Sequence, residues 1–172
     1  NAAFVTLKLA LNEKPRESDI ERLRQVHKLL LGRKLDGVMN VLDLQSEGGF
    51  TALVMEDAGS QTLSELIASA AGPIALKPFM IAALRLVRAV QLIHEQGIVH
   101  CELCPGNIVT NAGFAGLTLV DFGKASELNL IEQSKVELIR PGRLRGALPY
   151  MSPEQTGRMN CAVDFRSDLY SL

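Results

Sequence analysis

Apolar and polar positions change their spacing several times along the chain, and each change marks an element. Residues 3–10, AFVTLKLA, are rich in β-favouring side chains and stop at the polar run NEKPRES, so they read as a strand. Ser18 opens a helical pattern. Glu21 stands three positions on, as in a capping box, and Ile20, Leu23, Val26, Leu29 and Leu30 share one face until Gly32. Two short strands follow at 37–44 and 50–56, separated by SEGG, which is turn chemistry. A short helix is predicted from Thr62 to Ala70, and Pro73 interrupts the chain. A long amphipathic helix then runs from Lys77 to Gln96, with Gly97 as its stop. Beyond it, IVHCELCPGNIVT and LTLVDFG read as short apolar strands around polar loops. Residues 124–148, with Pro141, Gly142 and Gly146, read as loop, and a final helix starts near Asp164. Strands come first and helices dominate afterwards, which is an α+β order.

Composition narrows the class. The chain has 172 residues, 47% hydrophobic and 22% charged, enough for a packed core and too apolar for disorder. Eighteen basic against 19 acidic side chains give a net charge of −1, so no basic footprint for nucleic acid exists. Six Phe, two Tyr and no Trp offer few stacking platforms for single strands. The most apolar stretch, Leu76 to Ile93, is broken by Lys77, Arg85 and Arg88, so no membrane span is expected. The first residues lack the basic and apolar regions of a secretory leader. Three cysteines make no disulfide framework, and a reducing, cytoplasmic setting is expected.

The densest polar cluster in an apolar setting is His100-Cys101-Glu102-Leu103-Cys104-Pro105-Gly106-Asn107. Asp121-Phe122-Gly123 follows directly after apolar LTLV, and Ser152-Pro153-Glu154 comes later. A zinc or redox reading of Cys101-x-x-Cys104 fails for want of ligands, since only remote His94 and Cys161 remain. A deaminase reading of His100-x-Glu102 lacks the later P-C-x-x-C. His27 and His94 read as ordinary helix residues, and Arg140, Arg143 and Arg145 as a solvated loop.

In order and spacing these segments resemble a protein kinase. His100 to Asn107 is similar to the catalytic loop H-R-D-L-x-x-x-N, Asp121 to Gly123 matches D-F-G, and Ser152 to Glu154 resembles A-P-E. Val5-Thr6-Leu7-Lys8 is similar to V-A-I-K, and Ser167 to Leu172 resembles the start of the central helix of the large lobe. Small-molecule phosphotransferases share the catalytic loop, but Pro149 to Glu154 resembles a protein-kinase activation segment. The stretches PYMSPEQTGRMN and VDFRSDLYSL resemble the kinase-like domain of hybrid signalling proteins, in which an ATPase-type module, a sensor and a histidine kinase follow.

The resemblance implies a bilobal, α+β protein-kinase-like fold, incomplete at both ends. Residues 1–57 would be a partial N-lobe and residues 58–172 a partial C-lobe. It implies transfer of the γ-phosphate of ATP to Ser or Thr hydroxyls of a protein substrate, with Mg²⁺ as cofactor. Glu102 would orient the acceptor, and Lys8 would bind phosphate. Asp121 and Asn107 would hold Mg²⁺, and Met55, Glu56 and Ala58 would lie beside the adenine. Chemistry agrees, because phosphoryl transfer is mainly positioning and charge neutralisation. Asp121, exposed by a tight turn after a buried strand, suits a cation that bridges phosphates.

Departures from the pattern imply an alternative, a pseudokinase that binds nucleotide or regulates downstream domains of the same longer chain. The acid is Glu102 rather than Asp; its extra methylene shifts the carboxylate by about 1 Å, and such misplacement can cost ~10²-fold in rate. Cys104 replaces a lysine. Val26 stands where the helix should offer Lys8 a Glu, and Cys101 replaces the Arg that receives a phosphorylated loop, so Ser126 or Ser134 should not act as such a switch. Ala147 replaces the Thr that follows the activation-loop glycine. The resemblance implies that Asp168 is structural, hydrogen-bonding the backbone of the catalytic loop, and that Glu154 is structural too but without a partner, because its family Arg would lie beyond residue 172. A kinase domain runs to roughly 250 residues, so a piece is expected, unstable and inactive in isolation.

Overall fold

The computed structural model describes residues 4–10, 16–70, 72–110, 114, 116–128, 148–157, 159 and 161–172. The readings placed on Ser134, Arg140, Arg143, Arg145, Gly146 and Ala147 lie outside the described residues.

A three-stranded antiparallel sheet comes first, in the order β1-β3-β2, from β1 (Val5–Leu9), β2 (Val41–Glu47) and β3 (Phe50–Glu56). Gly48 and Gly49, at φ 57° and 85°, supply the left-handed pair that a two-residue hairpin needs, so Glu47 faces Phe50. Lys8 lies opposite Leu53, a fully buried residue of the central strand. Helix α1 (Glu17–Leu30) packs on this sheet through buried Leu23, Val26, Leu29 and Leu30.

The starts of two of these elements differ from the sequence reading. Helix α1 begins at Glu17, and its N-cap Arg16 makes no side-chain capping bond, so Ser18 caps nothing. The strand expected at 37–44 begins at Val41. Its first residues are taken elsewhere, because Gly37 and Met39 exchange backbone hydrogen bonds with Leu119 at 2.8 and 2.9 Å. Gly37, at φ 73°, also lies so near Ala89 that a Cβ would approach that side chain to 3.1 Å.

The rest is mainly helical. Thr62 caps α2 (Leu63–Ser69) in a capping box with Glu65. Helix α3 (Leu76–Glu95) buries Ala89, Val90 and Ile93 and leaves Leu76, Phe79, Leu84 and Val87 more than half exposed. Short strands frame the loops: β4 (Gln61–Thr62), β5 (Ile98–Val99), β6 (Ile108–Thr110), β7 (Leu117–Leu119) and β8 (Ser126–Glu127). They pair as β4-β6-β7 and β5-β8, so part of the region read as loop is a strand, and Ser126 faces Val99. Helix α4 (Phe165–Ser171) starts at its N-cap Asp164.

One apolar cluster joins the sheet to the helices, with Leu30, Leu53, Ile93, Ile98 and Leu119 at no measurable exposure. Burying each such side chain is worth about 1.5–3 kcal/mol. No described helix is long and apolar enough to cross a membrane.

Candidate active site

Three connections meet at one place: strand β1, the loop between β5 and β6, and the turn after β7. The loop rests on Asp168 of α4, a carboxylate only 1% exposed. Oδ2 accepts the His100 N–H at 2.8 Å, and Oδ1 accepts the Cys101 N–H at 2.9 Å. The ring Nε2 of His94, at the end of α3, lies 2.9 Å from Oδ2. These bonds hold Cys101 at φ 63°, a left-handed conformation that is costly for a residue with a Cβ. Gln155 closes the loop from the far side, donating from Nε2 to the Cys101 carbonyl at 2.7 Å while its Oε1 accepts from Ser152.

His100 is fully buried beneath the loop, packed edge-on against the ring of Phe122 at 4.6 Å. Its Nε2 faces the Val120 carbonyl at 3.1 Å, and its Nδ1 accepts the Glu102 N–H at 3.2 Å. That pattern requires a neutral ring protonated on Nε2. Burial pushes its pKa down, against the opposing pull of Asp168 and the Val120 carbonyl. Burial likewise pushes the Cys101 thiol up to about 12, with the Asp168 charge adding to it. That thiol is therefore protonated and unreactive at neutral pH.

Above this floor lie two ion pairs. Lys8 Nζ sits 2.6 Å from Asp121 Oδ1, joining residues 113 positions apart in sequence. Asp121 itself is at φ 60°, a conformation that Asp tolerates better than most residues, and its Oδ1 also accepts the Gly123 N–H at 3.2 Å. Burial would raise the Asp121 carboxyl. The charge and hydrogen bond of Lys8, with the Gly123 N–H, overcome that and leave its pKa lowered. The second pair joins Lys124 Nζ to Glu102 Oε1 at 2.6 Å. Asn107 donates from Nδ2 to the Glu102 carbonyl at 2.9 Å, which fixes its amide and leaves Oδ1 as the acceptor end.

The structure therefore brings Lys8 to Asp121, and Asn107 to Glu102. Val26 is buried at 3% exposure, and the acids of α1 (Glu17, Asp19 and Glu21) pair with Arg22 and Arg24 of the same helix. Met55, the last residue but one of β3, is buried in the core. The Glu56 N–H is used by the Asn40 carbonyl at 3.0 Å, so Glu56 would meet a base through its carbonyl. Ala58 follows, partly buried. Among the described residues no three His, Cys, Asp or Glu side chains gather as a metal cage. The donor set here, the Asp121 carboxylate and the Asn107 amide oxygen, suits a hard cation such as Mg²⁺ that takes its other ligands from phosphate and water. A groove lined by Leu66, Ile74, Pro78 and Phe114 lies away from these groups and holds no charged side chain.

Sequence reasoning missed three partners. His94 is bound to Asp168 rather than idle, Gln155 ties the segment at residues 152–155 to the loop, and Lys124 pairs with Glu102. Glu154 is not unpaired: Ser167 Oγ donates to its Oε1 at 2.5 Å. Only the adjacency of Lys124 to Asp121-Phe122-Gly123 hinted at any of these.

The family model described as "Protein kinase domain" matches residues 1–172. The chain is 37% identical over 161 residues to the DNA damage-responsive serine/threonine-protein kinase RqkA of Deinococcus radiodurans, covering 91% of this chain and 23% of that protein. It is 28% identical over 171 residues to a probable serine/threonine-protein kinase of Clostridium perfringens, covering 98% of this chain and 24% of the relative. The chain thus spans about a quarter of the length of these relatives. Among solved structures, a chain of the yeast RNA Pol II CTD kinase CTDK-1 complex superposes with a TM-score of 0.72 at 18% identity, over 97% of this chain and 51% of that one. With its α+β fold matching at that level and the family model spanning all its residues, the chain belongs to the protein kinase family.

Proposed function

We propose that this chain serves ATP-dependent transfer of a phosphoryl group to Ser or Thr hydroxyls of a protein. The observation that carries the reading is the contact of Lys8 with Asp121 at 2.6 Å, beside the linked pair Glu102 and Asn107. Mg²⁺ and ATP, when bound, supply the phosphoryl group and neutralise its charge. Lys8 would hold phosphate oxygens, and Asp121 and Asn107 would hold the metal. Glu102 orients the acceptor hydroxyl and receives its proton as the acceptor oxygen bonds to phosphorus and the bond to the leaving ADP oxygen breaks. Met55, Glu56 and Ala58 would border the adenine, at the junction of an N-lobe (1–57) and a C-lobe (58–172).

A second reading, a nucleotide-binding pseudokinase that regulates neighbouring domains, is favoured by one observation. Val26 lies in the core and α1 offers Lys8 no carboxylate, so the resting partner of Lys8 is the would-be metal ligand. The PYMSPEQTGRMN stretch supports placing the chain in a cytoplasmic hybrid signalling protein with a histidine kinase.

The test uses the longest natural chain containing residues 1–172. Mg·ATP should raise its thermal midpoint, Asp121→Asn should abolish that rise, and the wild type should phosphorylate a basic acceptor protein. A midpoint rise without transfer gives the pseudokinase reading. No rise in either protein overturns both.

A further inference from the structure

Cys104 leaves the catalytic loop without a cation of its own, yet the structure brings a cation to Glu102 from elsewhere in the chain. Lys124, the residue directly after Asp121-Phe122-Gly123, reaches back across 22 positions to set its Nζ 2.6 Å from Glu102 Oε1. Glu102 is partly buried, at 20% exposure, and Lys124 meets it from the surface. The backbone beneath Glu102 is already fixed: its N–H goes to His100 Nδ1 and its carbonyl takes the Asn107 amide. What those bonds leave open is the direction of the carboxylate, and the only charged group that meets it, among the described residues, is the Lys124 ammonium. Glu in place of Asp has a chemical sense here, because the added methylene extends the carboxylate beyond the loop, where Lys124 meets it.

We propose that Lys124 is the positioning residue for Glu102 and replaces, from the other side of the site, the cation absent at position 104. The proposal rests on the phosphotransfer reading above. With Oε1 held by Lys124, Oε2 is directed to the acceptor hydroxyl and takes its proton as the new O–P bond forms and the bond to ADP breaks. The ammonium meanwhile places positive charge beside the transferring group, where fixed charge lowers the barrier most. The rim of the site then consists of two neutral pairs, Lys8 with Asp121 and Lys124 with Glu102. The tight turn at Gly123 joins them: a Cβ there would approach Asp121 Oδ1 to 3.1 Å and Lys8 Nζ to 3.9 Å.

Two measurements on the natural full-length protein test this. The first is steady-state transfer to a basic acceptor protein. Lys124→Ala should lower kcat by about 10²-fold with the KM for ATP little changed, and Cys104→Lys in the same background should restore most of the loss. A merely structural lysine would not be rescued from position 104. The second needs no nucleotide: acylation of lysines read by mass spectrometry. Glu102→Ala should raise labelling of Lys124 severalfold relative to exposed Lys77, because the pair shields the amine. A wild type that transfers phosphate while Lys124→Ala matches it, a failed rescue by Cys104→Lys, or equal labelling with and without Glu102 each overturns the Lys124 role and leaves phosphotransfer standing. A wild type that transfers nothing overturns both.

Discussion

The floor and the rim of the site are held in different ways. Beneath the catalytic loop, Asp168 is almost wholly buried and faces three nitrogen groups, two of them backbone N–H groups. At the rim, Lys8 and Asp121 are 39% and 41% exposed and form one pair. A buried acceptor with several partners is costly to lose, because every donor left behind loses its hydration as well as its bond. A half-exposed ion pair is worth little to stability and exchanges readily. The floor therefore sets the shape of the loop, while the rim keeps charges that, on the proposed phosphotransfer, phosphate and metal would take over.

Removing the floor should have the largest effect. Asp168→Ala strands the N–H groups of His100 and Cys101 and should cost about 3 kcal/mol or more of stability by urea titration; an unchanged midpoint would contradict the clamp. Acid should act next, through His100. Its pKa is pushed down in the folded protein, whereas in the unfolded chain it is near ~6.5. The unfolded chain thus takes up the proton first, so stability is complete above about pH 6.5 and falls as the pH drops below it toward the folded value. Asp121, also lowered, adds a further loss below about pH 4. Denaturation midpoints that stay level from about pH 7.5 to about pH 5 would refute the neutral, buried His100.

Changing the rim should leave folding nearly untouched. Asp121→Asn keeps a residue suited to φ 60° and should alter stability without nucleotide by less than about 1 kcal/mol, while removing the response to Mg·ATP. A large stability loss would mean that the rim, too, is structural. The smallest effect is a difference in reactivity. Exposed Cys161 should be alkylated at neutral pH while Cys101, pushed up to about 12, should not; equal rates by mass spectrometry would place Cys101 outside the floor.

Local elements were legible where the chain states them locally. The Gly48-Gly49 hairpin, the span of α2 and the extent of α3 each follow from residues within one turn or one helix. The start of β2 was not, because Gly37 and Met39 are claimed by Leu119, some 80 positions on. Nor was the start of α1, where a capping-box spelling at Ser18 is present but the helix already begins at Glu17. In the site, the motif residues could be named from spacing, and the resemblance implied that Asp168 bonds the loop backbone, but the side-chain partners could not be named. Lys8 finds Asp121 because strand β1 and the turn after β7 converge, and no short-range pattern records that.

By itself, the sequence determined the order of elements, the chemistry of the motif residues and the absence of a carboxylate at Val26. These are properties of single positions and of near neighbours. Only the tertiary structure decided which polar and charged groups meet. Lys8 took Asp121, Lys124 took Glu102, and Glu154 took Ser167, because ion pairs and hydrogen bonds act over about 3 Å and the fold alone brings such distant positions that close.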